Sequence, residues 1–131
     1  MELKKVYEER RSVNFFDKEK KLDDGLLREI IDRATLAPSA FNLQPWEIIA
    51  VKSEEGKKKL YESGLAQPKV LEAPVTLLIL GDRHGYGEEN SSWLNIEDEA
   101  SKQKSQKMAE QLYGTSEEKK IKFAESNAGL L

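Results

Sequence analysis

Apolar residues recur along this chain with two different periods, and the change from one to the other marks out its elements. Over residues 3–10, Leu3, Val6 and Tyr7 fall on one side of a short helix. Leu26, Leu27, Ile30, Ile31, Ala34 and Ala37 then predict one buried stripe of a longer helix, with Arg28, Glu29, Asp32 and Arg33 opposite. Asp23 or Asp24 can cap its first free N–H groups, Leu22 can staple onto Leu27, and Pro38 disfavours helical dihedrals at Ala37. Trp46 to Val51 has strand composition. Ser53, with Glu54 and Glu55 behind it, predicts a capped helix running to about Gly64. After Pro74, the unbroken apolar run from Val75 to Leu80 predicts a strand covered on both faces and closed by Gly81-Asp82.

Beyond Glu88 the pattern loosens. Trp93, Leu94, Ile96, Ala100, Met108 and Leu112 predict a long helix, yet residues 101–107 contain nothing apolar. Such a helix is expected to stand out from the core or to be loosely held. Ser116-Glu117-Glu118 starts a last helix carrying Ile121, Phe123, Ala124, Ala128 and Leu131 as its apolar set, with no C-cap in view. The succession of elements points to one α/β or α+β domain. Two strands make a marginal sheet alone, so the expectation is a fragment whose remaining portion supplies further strands.

Composition narrows the classes. The chain has 131 residues, 34% charged and 38% hydrophobic, with a net charge of −3, and its basic residues are interleaved with acids, which argues against a nucleic-acid partner. No apolar run is long enough for a bilayer, and the first residues lack the apolar stretch of a signal peptide, so a cytoplasmic protein is expected. With no cysteine there is no disulfide, thiolate nucleophile or thiolate-bound metal, and the single histidine, His84, reads as a surface loop residue.

Two segments carry candidate chemistry. Arg10, Arg11, Ser12 and Asn14 offer two guanidinium groups, a hydroxyl and an amide, a donor set suited to phosphate, although paired arginines are also common on plain solvated faces. Pro38, Ser39, Ala40, Phe41, Asn42, Leu43, Gln44 and Pro45 form a loop clamped by prolines that can bring backbone groups close to a flat heterocycle. The alternative is a plain helix-to-strand connection leading to a core Trp46.

Taken together, Arg-Arg-Ser near residue 10 and Ala-Pro-Ser-x-x-Asn-x-Gln-Pro-Trp near residue 40 resemble the nitroreductase family of FMN flavoproteins. The resemblance extends through Glu72-Ala73-Pro74, the strand ending at Gly81-Asp82, and Asn127 to Leu131, which looks like the start of that family's central dimer helix. It implies an α+β, three-layer-like fold with a central sheet flanked by helices, in a homodimer whose flavin sites lie at the subunit interface. By resemblance, Arg10, Arg11 and Ser12 hold the FMN phosphate, with Asn14 nearby where the family often has a basic residue. Pro38, Ser39, Ala40 and Asn42 match the loop that meets the flavin from the neighbouring subunit, Gln67 an amide touching the ring, and Phe41 a residue lining the substrate side. Residues 88–113 correspond to a variable helical flap that shapes substrate choice.

The chemistry implied is hydride transfer from NADH or NADPH through FMN to an electron-poor acceptor such as a nitroaromatic or quinone, with no catalytic side chain and no metal. Members of the family run longer than this chain, so weak or absent FMN retention is expected of it. Two other readings stand beside this one. One is a different flavin reaction on the same scaffold, such as dehalogenation, dehydrogenation or flavin breakdown. The other is a helical binding module without cofactor, using the charge-rich stretch from Ile96 to Leu112, which otherwise reads as a solvated face.

Overall fold

The computed structural model describes residues 3–131, which divide into two compact units. The first comprises the chain up to Leu22 together with Val51–Thr76; the second comprises Asp23–Ala50 and Leu77–Leu131.

In the first unit, α1 (Leu3–Glu9) has no buried residue, and Leu3 and Tyr7 are largely exposed. Helix α3 (Glu54–Leu60) begins at Ser53, whose hydroxyl accepts the Gly56 N–H at 3.1 Å, and passes through one wide turn at Tyr61–Leu65 into α4 (Pro68–Glu72). Lys57 joins the two helices. It is buried, donates to the carbonyls of Leu71 and Ala73 at 3.3 Å each, and pairs with Glu54 at 2.7 Å. Its ammonium thereby supplies donors to carbonyls that α4 leaves open at its C-terminus, where a cation is favoured.

The second unit starts with α2 (Asp24–Ala34). Asp23 is the cap, accepting the N–H groups of Gly25 and Leu26 at 2.9 and 3.2 Å. The helix ends earlier than its apolar spacing implies: Leu36 and Ala37 bond three residues back, to Arg33 and Ala34, so the chain tightens before Pro38 and Ala37 lies outside the helix. Of the predicted stripe only Leu27 is fully buried, while Leu26 and Ile30 stay exposed.

Strands β1 (Trp46–Val51) and β2 (Thr76–Gly81) form a two-stranded sheet. Just past the end of β2, Asp82 donates to the carbonyl of Pro45, which precedes β1, so the strands run antiparallel. The double cover expected for β2 is absent among the described residues: Leu77, Ile79 and Leu80 are 36%, 43% and 45% exposed. Trp46, read as a core residue, opens β1 partly exposed.

Residues 88–113 are not one long helix. A 3-10 turn at Ser91–Asn95 is followed by an extended break and then by α5 (Glu99–Ala109), which Asp98 caps, and by a wide turn at Glu110–Gly114. Nor does the segment stand clear of the core. Trp93 is 1% exposed and Ala109 0%, and with Leu43, Tyr86 and Phe123 they form the core cluster of this unit. Trp93 and Ala109 thus anchor the segment on either side of its polar stretch.

Helix α6 (Glu117–Ala128) buries Phe123, Ala124 and Asn127, and the Gly129 N–H extends its ladder by donating to the Glu125 carbonyl at 2.9 Å. Its carbonyl at Ala124 lies against Gly81, where an added Cβ would stand 2.6 Å from that oxygen. Gly85 is similarly needed against Pro45, since a methyl there would stand 2.5 Å from the proline Cβ.

Two outcomes follow from this packing. Gly81→Ala forces α6 off the end of β2 and lowers stability by about 1–3 kcal/mol, read as a lower urea midpoint. The Tyr86 phenol is held above its ordinary value of 10.0, first by burial and then by the charge of Glu110. The folded state therefore keeps a proton that the unfolded chain releases, so stability is intact below that value and falls as pH rises above it. Urea midpoints taken about a unit below and a unit above the ordinary phenol value are expected to diverge less in Tyr86→Phe.

Candidate functional site

The proline-clamped loop is the most constrained segment of the second unit. Phe41, Asn42 and Gln44 all take left-handed backbone conformations, with φ of 54°, 56° and 48°. Asn adopts that region with little strain, but for Phe and Gln it costs of order 1–3 kcal/mol each. Strain of this kind persists only where the surroundings over-determine it.

Here the surroundings do. The Ser39 hydroxyl accepts the Gln44 N–H at 2.8 Å, closing the loop on itself, and the Gln44 side chain donates to the Thr35 carbonyl at 3.1 Å. The Leu43 carbonyl takes two donors, the Asn90 amide at 3.1 Å and the Ser92 hydroxyl at 3.2 Å; the Asn90 amide also donates to Gly85 at 2.7 Å. From the other side, buried Asn127 accepts the Ala40 N–H at 2.8 Å while its NH2 donates to the Phe123 carbonyl at 2.7 Å. A main-chain N–H can only donate and a carbonyl can only accept, so these partners fix which way the Asn127 amide is turned.

The loop thus holds Asn42 exposed on a rigid frame. Phe41 packs its ring 5.9 Å from Trp93 and 6.5 Å from Tyr113. Beside Ala40 lies a cavity of about 460 Å³ between the loop and α6, with Tyr113 and Phe123 in its wall and Lys119 and Lys122 at its rim.

The other candidate residues belong to the first unit. Arg11 turns one guanidinium nitrogen back onto the carbonyls of Glu8 and Arg10, at 2.9 and 2.8 Å, and so closes the C-terminal end of α1. Arg10 is exposed, and its guanidinium has no partner among the described residues. Ser12 and Asn14 are exposed on the extended chain that follows, and Gln67 stands exposed at the start of α4 without making a capping bond. Asn90 and Asn127 are the positioning residues that periodicity does not single out. For Asn127 a signal exists, because an amide sits one turn after Phe123 on an otherwise apolar face.

An antiparallel strand pair, a capped helix on either side of the strained loop, and α6 against the end of β2 define a nitroreductase-like α+β fold. The Nitroreductase family profile matches residues 7–125, and the chain belongs to that family. A protein of Thermus thermophilus described as an NADH dehydrogenase is 45% identical over 73 residues, a stretch covering 56% of this chain and 35% of that protein. Among solved structures, a Staphylococcus epidermidis protein classed as an NAD(P)H:FMN oxidoreductase superposes with a TM-score of 0.85 at 29% identity, covering 98% of this chain and 64% of that one. An Exiguobacterium sibiricum protein classed as a nitroreductase, solved in complex with FMN, gives a TM-score of 0.84 at 21% identity over 99% of this chain and 65% of its own, and so speaks for the fold alone. The chain therefore spans about a third of the curated relative and somewhat under two thirds of these structures.

Asn127→Ala removes the acceptor from a part-buried N–H and is expected to cost about 1–3 kcal/mol. Amide hydrogen exchange reads the local consequence: Ala40 is protected in the parent chain and exchanges faster in the variant, by more than the change in global stability accounts for.

Proposed function

We propose that this chain forms part of a homodimeric, cytoplasmic FMN-dependent oxidoreductase that passes hydride from NADH or NADPH to an electron-poor small molecule, a nitroaromatic or quinone. Family membership supports the oxidoreductase class. The nicotinamide named for the Thermus thermophilus relative and the NAD(P)H and FMN named for the Staphylococcus epidermidis protein support those cofactors. No helix among the described residues is long and apolar enough to cross a membrane.

The residues present fit FMN. Arg10 offers a guanidinium committed to nothing among the described residues, and Arg11, though one nitrogen is spent on carbonyls, keeps donors of its five-proton fork free. With the Ser12 hydroxyl and the Asn14 amide they make a set that can bind a phosphate dianion. An amide at position 14 contributes no charge, so the two arginines carry the electrostatic part. The loop fits a ring as well, since its strained backbone carries the small residues Ser39 and Ala40 and an exposed Asn42. In the proposed dimer, Pro38, Ser39, Ala40 and Asn42 of one chain meet the ring held by its partner.

FMN, if bound, would supply the redox chemistry of the transfer. The chain's own part is positioning. Asn127, Asn90 and Ser39 hold the loop rigid, Phe41 lines the acceptor side, and Gln67 offers an amide toward the ring. The stretch 88–113, anchored by Trp93 and Ala109, limits which acceptors enter. Orientation of this kind accelerates a transfer without any protein nucleophile. The observation that carries the reading is the strained loop of Phe41, Asn42 and Gln44, braced by Asn127 and Asn90.

Titrating FMN and riboflavin, which differ by the phosphate, tests the assignment through quenching of flavin fluorescence. FMN is expected to bind at least about tenfold more tightly, with Arg10→Ala/Arg11→Ala erasing the preference and leaving riboflavin affinity alone. Equal affinity for the two flavins, or an undiminished preference in the double variant, overturns the proposal.

A further inference from the structure

A second concavity, open to solvent and about 870 Å³ in volume, lies in the second unit between the 84–89 turn and α5. Its long wall is one face of α5 carried into the turn after it: Glu99, Gln103 and Gln106 on the helix and Glu110 just past its end follow one another at intervals of four, three and four residues, the spacing of a single helical stripe. Glu88 and Glu89 come from the facing turn. Four carboxylates thus stand against the ammonium groups of Lys102 and Lys107, and Lys102 is already engaged with Glu99 at 3.7 Å.

At the floor is Tyr86, 7% exposed, with its ring edge-on to Phe123 at 5.7 Å. Its hydroxyl makes no hydrogen bond to any described residue, yet no buried polar side-chain atom among those residues lacks a partner. The phenol oxygen is therefore the part of this side chain that reaches the groove, an acceptor at the base of an acidic trough. The Tyr86 pKa is raised first by burial and then by the charge of Glu110, with Glu117 and Glu89 adding to it and Lys120 opposing.

The spread of charge selects the ligand. No three carboxylate or imidazole groups among the described residues stand close enough to hold a metal ion. Glu99 and Glu110 are instead separated along the helix by roughly 16 Å, at 1.5 Å per residue. A compact dication meets one carboxylate at a time, whereas an extended chain carrying several ammonium groups meets both ends of the trough and the phenol between. We propose that this groove binds a linear polyamine, its terminal ammonium groups at Glu99 and Glu110 and a central N–H donated to the Tyr86 oxygen.

Spermine, whose extended chain matches the length of the trough, added to the 15N-labelled chain at physiological ionic strength tests this by NMR. Shifts are expected to concentrate in residues 84–89 and along α5, with putrescine, being shorter, binding more weakly and Mg²⁺ at equal charge displacing little. Tyr86→Phe, which keeps the ring, is expected to weaken spermine binding about tenfold. Glu110→Gln, on an exposed side chain, gives an independent loss should the phenol variant fold poorly. Absence of binding, shifts scattered over the whole surface, complete displacement by Mg²⁺, or parent-like affinity in both variants each overturns the proposal.

Discussion

One carboxamide, that of Asn127, carries the geometry of the candidate loop. It is buried on α6, and it spends its oxygen on Ala40 and its nitrogen on Phe123. A buried amide left half satisfied is costly, so both bonds form together or the helix shifts away. The loop's left-handed residues are tolerable because this bond and the two donors on the Leu43 carbonyl leave the backbone no relaxed alternative. Stability stored in α6 and the aromatic core is thereby converted into a fixed backbone shape at residues 39–44.

The aromatic core explains why the polar stretch 88–113 is ordered. Trp93 donates its indole N–H to Gly87 at 2.8 Å and packs against Phe41, and Tyr113 meets Phe123 at 4.6 Å. A segment can carry seven consecutive polar residues and still be held, provided apolar anchors stand at its two ends. The same arrangement frees the outward face of α5 to present charge without any cost to the core.

Much apolar surface nevertheless stays open. Leu26 and Ile30 on α2, and Leu77, Ile79 and Leu80 on β2, lie between a third and a half exposed. Exposed apolar rows of this kind are what contact with further protein covers, in keeping with the dimer proposed for the family fold.

Most elements were legible from residue pattern alone, the exceptions being α4 and the broken course of residues 88–113. The β1 limits, the Ser53, Asp23 and Ser116 caps, and the last helix all follow from local rules, because caps and strand composition depend on neighbours a few residues away. The motif around Pro38 was legible too, as a resemblance. What needed the folded chain was everything set by distant partners. The true end of α2, the burial of Trp93, the left-handed turn at Phe41 and the role of Asn127 arise from contacts up to 87 residues apart. Local propensity describes what a segment can do; which conformation it keeps is decided by the partner that takes its hydrogen bonds, and that partner is chosen only when the chain closes on itself.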